Sequence, residues 1–501
     1  MNSTFMGLSI ATRGLYSSQA ALSVTGTNIS NANTDGYSRQ TVNQTTAGAA
    51  AVYAGQAIIG GGSEVASVER VRDPLLDAKY RRANGQSGEW DVKSAGLTQV
   101  EELIGDSQTG FSTVMEDFYA ALEALSSDAS DGSARTALLE AGNSLCSYLN
   151  DTATQLETLR DDFNTSVKTT VEQINTYAKQ IAALNAQINR AAASGSTTND
   201  LEDQRDLLID KLSELTEVTV SQTSSGAGGA ALTVRVNGST LVSGGTARPL
   251  ECYENSEGMY GIRWQDTGLD FASAGGALQG YLDLRDGSGA DSEYQGIPYY
   301  LNQLNDFAQT FAKAFNEGIY KDGTTYYSGQ AGGYGLDGST GIRFFTYDDC
   351  STAAFLASGT DNDSRYAQIT AANISISQDI QEDVAKIAAS SAADEADNNE
   401  NINDLISLCR DNRMFNKGDP EDFMNSIIAT VGTASSYAQR VAENKNTTVK
   451  NINDNRTSVS GVSTDEEAAN LTKYQQAYNA AAKMVSIWDE IYETTINMVN
   501  G

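Results

Sequence analysis

The sequence contains no histidine. Its absence removes the imidazole general base, His-containing triads and dyads, and the commonest zinc ligand. Cations are scarce as well: 33 Lys plus Arg stand against 65 Asp plus Glu, a formal charge of -32. A chain of that sign repels phosphate backbones instead of releasing their counterions, which excludes nucleic acid and anionic membrane surfaces as expected partners. The four cysteines, Cys146, Cys252, Cys350 and Cys409, include no CxxC and no close pair. Reduced, mostly buried thiols are expected from that spacing. Only 4 prolines occur beside 45 glycines. This balance leaves long helices unbroken and places the glycines in turns. No charged segment followed by a compact apolar run opens the chain, and Gly14 to Thr34 is rich in Ser, Thr, Gln and Asn. Neither a cleaved secretion signal nor a membrane span is expected.

What is present begins with two apolar seams at the ends of the 501 residues. Leu8, Leu15, Leu22 and Ile29 recur every seven residues, with Ala11, Ser18 and Thr25 between them. That spacing predicts a helix with one narrow stripe, whose other faces are too polar to be buried alone. Leu471, Tyr474, Tyr478, Ala481, Val485, Trp488, Tyr492 and Val499 step by three and four after a cap-like Ser463-Thr464-Asp465 start. These are read as two coiled-coil-like terminal helices that need a partner, or as ordinary amphipathic helices on a core. Between them, Asn28 to Gln40 reads as a helix stop in which Gly36 supplies a positive φ and an extended segment follows.

Further along, a helical pattern resumes after Pro74, and another after Gly110. Phe163, Val167, Ile174, Tyr177, Ile181, Leu184 and Ile188 hold heptad offsets, and Leu201, Leu208, Leu212 and Leu215 return after Ser194-Gly195-Ser196. The pair reads as an antiparallel helical hairpin. Asp203 to Asp206 on its return arm reads as i,i+3 and i,i+4 pairing on a solvated face. From Val218 the apolar period becomes two, with Asn237-Gly238 as a hairpin turn, and glycine-rich turns continue to about Asp286, where Gly275 to Asp286 leads back into helix. Residues 321–376 read as loops with short strands. Residues 377–460 read as mostly helical, ending in a polar connector from Asn444 to Gly461.

No catalytic, cofactor or metal site is expected. Gly226 to Ala231 imitates a dinucleotide fingerprint but precedes a strand-like run, where the phosphate-cradling helix is missing. Asp361 and Asp363 begin a calcium-loop pattern that lacks its Gly and its Glu. Asp394, Glu395, Asp397, Glu400 and Asp404 read as one acidic helix edge, expected by chance in so acidic a chain.

The leading seam followed by Asn28-Ile29-Ser30-Asn31-Ala32-Asn33-Thr34-Asp35-Gly36-Tyr37-Ser38-Arg39-Gln40 resembles the N-terminal signature of bacterial flagellar axial proteins. Most members place Pro where this chain has Asp35. Gly36 to Gln40 and Asp203-Gln204-Arg205-Asp206 resemble the hook-associated members, and Gly461 to Tyr478 resembles the C-terminal signature of the whole family. The resemblance implies a structural, non-enzymatic protein forming a ring of identical subunits between flagellar hook and filament. It also implies contacts with the hook protein and a second junction protein, export through the flagellar type III apparatus without a cleaved signal, and a cytoplasmic export chaperone. The expected assembly residues are Leu8, Leu15, Leu22, Ile29, Asn31, Thr34, Gly36, Tyr37 and Arg39 at one end. At the other they are Leu471, Tyr474, Tyr478, Ala481, Val485, Trp488 and Tyr492. Leu8, Leu15, Leu22 and Ile29 are expected to face Leu471, Tyr478, Val485 and Trp488.

The expected fold is α+β, mainly α. A discontinuous terminal helical core spans 1–60 with 445–501, a helical rod-like domain spans 61–217 with 287–444, and a small β subdomain is inserted at 218–286. Alternatives are a hook- or rod-type axial protein, or a secreted acidic adhesin or enzyme.

Overall fold

The computed structural model describes residues 6–48, 50–53, 57–105, 110–225, 229–290, 293–321 and 325–500. In chain order, α1 (Met6–Ser30) leads into β1 (Gln40–Thr46), β2 (Ala50–Tyr53), β3 (Ala57–Ile59) and β4 (Ser63–Arg70). Helices α2 (Pro74–Ile104), α3 (Phe111–Ser127), α4 (Gly132–Ala193) and α5 (Asn199–Leu215) follow. Strands β5 (Val218–Ser225), β6 (Gly229–Val236), β7 (Ser239–Ser243), β8 (Thr246–Ala247), β9 (Leu250–Glu254) and β10 (Tyr260–Trp264) precede α6 (Gly276–Asp286) and α7 (Ile297–Glu317). Beyond them come β11 (Gly318–Lys321), β12 (Thr325–Ser328), β13 (Phe345–Tyr347), α8 (Thr352–Ala357), α9 (Asn362–Tyr366), β14 (Ile374–Ile376) and α10 (Gln378–Glu382). The chain closes with α11 (Glu400–Cys409), α12 (Pro420–Ser460) and α13 (Thr464–Asn500). The fold is α+β and mainly α, as the patterning predicts.

Helix starts follow capping chemistry. Asp73 accepts from the backbone N–H groups of Leu75 and Leu76 with Pro74 in the first turn, and Asp419 accepts from Asp422 with Pro420 next to it. Both satisfy N–H groups that would otherwise lack partners, and proline there sacrifices no helical bond. The calcium-like Asp361 proves to be such a cap, in a reciprocal box with Ser364.

The larger core gathers one face each of α2, α3, the first half of α4, α7, α11 and the first half of α12. At its centre, Phe118, Phe307, Phe311, Phe315, Phe344 and Phe345 are fully buried. Their ring centroids lie 4.9 to 6.3 Å apart in tilted, edge-on and stacked pairs, the spacing at which aromatic rings attract. Asn316, with no exposed surface, pins the Phe344-Phe345 strand: its Nδ2 donates to the Phe345 carbonyl at 2.7 Å, and its Oδ1 accepts from both amides.

The smaller core joins the second half of α4 and α5 to the β strands, from Val167 and Ile174 to Val234, Leu241 and Trp264. Strands β5 to β8 form an antiparallel meander in sequence order, turned at Asn237 and Gly238, both with positive φ. Strands β5 and β6 pair across the glycine-rich stretch, Ser225 with Gly229, while residues 226–228 of that stretch lie outside the described residues. Helical hairpin and strands thus share one apolar interior, which crosses the 217/218 boundary drawn from the change of period.

Two expectations are corrected. The polar stretch from Asn444 to Ser460 is no connector but the C-terminal part of α12, which runs unbroken for 41 residues. A helix docked along α2 tolerates a polar exposed face, so loss of hydrophobic periodicity did not mean loss of helix. Asp394, Glu395 and Asp397 do not share a helix edge with Glu400 and Asp404, because α11 begins at Glu400 and Asp394 has φ 63°.

Candidate assembly site: the terminal helix pair and its anchor

Helix α1 runs against α13. Gly7 lies beside Trp488 and Gly14 beside Ala481, so the two helices are antiparallel. On α13 the packed stripe is largely the expected one: Tyr474, Tyr478, Ala481, Val485, Trp488 and Tyr492 are half-buried, with Trp488 and Tyr492 stacked at 5.9 Å. Leu471 falls outside it, 38% exposed. On α1 the leucines do not form the centre of the contact. Leu8, Leu15 and Leu22 are half-buried flanks and Ile29 is 37% exposed. The inner line runs one residue before them, through Gly7, Ala11, Gly14, Ser18, Ala21, Thr25 and Asn28. The reason is complementary size: α13 brings tyrosines and a tryptophan, and an added Cβ at Gly7 would collide with the Trp488 ring. The side of α1 holding Ile10 and Ser17 faces the β1–β4 hairpin, where Ser17 and Ser63 hydroxyls meet at 3.1 Å. Val499, the last residue of the expected stripe, has a side chain outside the described residues.

Where α1 ends, Asn31 accepts from Thr34 at 3.2 Å and Gly36 turns with φ 79°. A side chain at Gly36 would meet Leu207 on α5 as well as adopting a conformation L-residues avoid. The next four residues are tied down inside the chain. The Tyr37 hydroxyl donates to Asn28 Oδ1 at 2.8 Å, and burial, then the nearby carboxylates of Asp200, Asp203 and Glu467, pushes its pKa up to about 12. Ser38 gives both its N–H and its hydroxyl to Asp203, at 2.9 and 2.6 Å. Arg39 spreads its guanidinium between Glu466 and the buried Glu467, each at 2.9 Å. Gln40 reaches Asp200 at 3.1 Å.

Asp203 leads into a buried ionic network, where the sequence pattern predicts a solvated face. Asp203, Arg205, Asp206 and Asp210 are each under 8% exposed, not solvated. Arg70 bonds Glu202, Asp203 and Asp206 at 2.7, 2.7 and 2.9 Å. Arg72 forks onto Asp77, Arg81 donates to Asp210 at 2.7 Å, and Arg456, near the end of α12, reaches Asp210 at 2.5 Å. Burial opposes ionisation of Asp206, but Arg72, Arg205, Arg70 and Arg81 outweigh it and hold that carboxyl below its ordinary value. The spacing of Asp203, Asp206 and Asp210 carried a signal: steps of three and four are those of a buried stripe. Local i,i+3 pairing does not explain them, because their partners lie on β4, α2 and α12.

Among the described residues no group of three or more Cys, Asp or Glu side chains could hold a metal ion, and no helix is long and apolar enough to cross a membrane. Cys146 and Cys409 are buried thiols whose pKa burial pushes up, away from reactive thiolate chemistry.

Residues 97–345 match the description "Flagellar hook-associated protein FlgK helical domain". Residues 455–498 match "Flagellar basal body rod FlgEFG protein C-terminal", and residues 8–37 match "Flagella basal body rod protein". Flagellar hook-associated protein 1 of Bacillus subtilis is 32% identical over 99% of this chain and 99% of its own length. The chain belongs to the flagellar hook-associated protein 1 family. Its Escherichia coli member is 26% identical over 97% of this chain and 98% of its own. A solved structure of the flagellar hook junction protein FlgK from Burkholderia pseudomallei shares the fold with a TM-score of 0.60 and 17% identity, covering 76% of this chain and 100% of that one. As a flagellar hook-associated protein, the chain is a structural component of the bacterial flagellum. The helical-domain match holds the smaller core and the α3, α4 and α7 part of the larger one, and the end matches lie on α1 and on the α12–α13 corner.

Proposed function

We propose that this chain forms the junction ring between flagellar hook and filament, and that the α1–α13 pair is the part that assembles. The observation carrying this reading is the thinness of that pair. Among the described residues its buried apolar side chains are two small ones, Ala11 and Ala21, while Met484, Ile487 and Ile491 on α13 stay 40 to 46% exposed. Exposed apolar side chains in a row mark a surface that a partner covers. Identical subunits close the ring through heterologous contacts, in which the stripe on one copy meets a different stripe on the next. Leu8, Leu15, Leu22, Ile29 and Leu471 flank the pair and belong to the same interface, with Tyr474, Tyr478, Ala481, Val485, Trp488 and Tyr492 shaping it from within. Asn31 and Thr34 lie at its end. The hook protein and a second junction protein adjoin the ring, a cytoplasmic chaperone holds the subunit before export, and export leaves it outside the cell in the flagellum without a cleaved signal. In this role the protein performs no chemistry.

Electron microscopy of a strain lacking the chain tests the reading: hooks retained without filaments is the expected outcome, and filaments of normal number and attachment would contradict it. A rod-type reading draws on the end matches alone. It leaves residues 97–345, with their hook-associated match, unexplained.

A further inference from the structure

Arg39 does more than pair with acids. Its backbone N–H donates to the carbonyl of Ser460, the last residue of α12, at 2.8 Å. Its guanidinium holds Glu466 and Glu467 in the first turn of α13. One residue therefore straddles the break at Gly461, Val462 and Ser463 where α12 gives way to α13. On its N-terminal side, Ser38 is fixed to Asp203 of α5, and Asp203 is fixed by Arg70. On its C-terminal side, Val71 donates to the Arg39 carbonyl at 2.8 Å.

We infer that residues 37–40 are an internal clasp, and that Arg39 is the positioning residue that sets the angle between the terminal helix pair and the body. Tyr37 and Arg39 then serve assembly without facing a neighbouring subunit. The physical case is the distribution of anchors. The angle at a three-residue break is soft unless something spans it. Glu467, 2% exposed, is a carboxylate whose burial is compensated by the Arg39 guanidinium, so opening the break gives up a shielded, charge-assisted pair. Behind the clasp, the ionic network makes Asp203 a rigid post: it accepts from Ser38 and Arg70 while Arg456 ties α12 to the same helix. A subunit in a closed ring must present its terminal helices at one angle, and the clasp supplies that angle before any neighbour is met. This consequence rests on the proposed assembly role; the clasp itself does not.

The test uses the purified full-length chain. Hydrogen exchange read by mass spectrometry is compared for the parent, Glu467→Gln, Arg39→Glu and the swapped pair Arg39→Glu with Glu467→Arg. Exchange at residues 28–40 and 461–470 is expected to rise about tenfold in both single variants, the scale of one lost charge-assisted hydrogen bond, with α3, α4 and α7 unchanged. The swapped pair is expected to restore the parent pattern. Unchanged exchange in the single variants, exchange that rises throughout the core helices, or no rescue by the swap would each overturn the clasp. Filament attachment in cells then separates the two proposals. Shedding by Arg39→Glu, reversed by the swap, supports the positioning role, whereas raised exchange with filaments firmly attached overturns it.

Discussion

The two ends of the chain and its middle are built from the same secondary structure on different terms. In the middle, α3, α4, α7, α11 and α12 surround six fully buried phenylalanines, and each helix presents a wide apolar face. At the ends, α1 offers glycine, alanine, serine and threonine, and among the described residues the one buried side chain of α13 is the carboxylate of Glu467. Burial of apolar area is what offsets chain ordering. The middle is therefore expected to fold on its own account, and the terminal pair to gain little until further surfaces close over it. The lesson is that helix length does not report stability: α13 spans 37 residues with almost no core.

The largest effect that would sharpen this contrast is in the phenylalanine cluster. Phe311→Ala should destabilise the main unfolding transition by about 3–5 kcal/mol in denaturant titration, because a fully buried ring leaves a cavity. A cost below about 1 kcal/mol would mean that the core collapses around the site and is looser than the contacts imply.

Next in size is the ionic network. Asp206→Asn should cost about 3 kcal/mol, since four arginines lose a buried counter-charge. Acid acts on the same group. Its carboxyl titrates below the ordinary 3.8, so the folded chain keeps it ionised where the unfolded chain would bind a proton. That contribution is complete above about pH 4 and is lost as pH falls through the lower folded value. The parent should lose stability more steeply than Asp206→Asn below about pH 4, and parallel acid profiles would contradict the assignment.

A smaller effect is expected at the clasp. The Tyr37 phenol, raised to about 12, favours the folded state up to about pH 10, and this contribution is lost between about pH 10 and 12 as the unfolded chain ionises first. Tyr37→Phe should flatten that alkaline loss in hydrogen exchange at residues 28–40 and leave exchange in α7 as it was. Equal alkaline loss in both would show that Tyr37 is not the group responsible.

How much of this was legible depends on how local the cause is. The turn at Asn237-Gly238, the hairpin bend after Ala193, the start at Pro74 and the C-terminal stripe from Tyr474 to Tyr492 are each dictated by neighbours within a few residues, and sequence patterning places all of them. The failures share a different character. Asp203 to Asp210 look like a solvated face until Arg70, Arg81 and Arg456 arrive from distant parts of the chain. Leu8, Leu15 and Leu22 look like the seam because leucine is the expected filler, yet a partner helix carrying Trp488 requires glycine at the contact. The polar end of α12 looks like a connector because nothing in it announces the α2 surface it lies on. In the candidate site, the residue types were readable and their partners were not.

The measurement that reaches the central claim most directly is Val485→Asp in the full chain, followed by denaturant unfolding of the purified protein and by electron microscopy of cells producing it. Val485 is half-buried on the α13 line between Ala481 and Trp488, which meet Gly14 and Gly7 of α1, so a carboxylate there opposes closure of the pair without touching either core. The main unfolding transition is expected to move by less than about 1 kcal/mol, as for a surface substitution, while filaments are lost from intact hooks. If the substitution instead unfolds the body cooperatively, or if filaments remain attached, the terminal pair is an ordinary part of the core and is not what builds the junction.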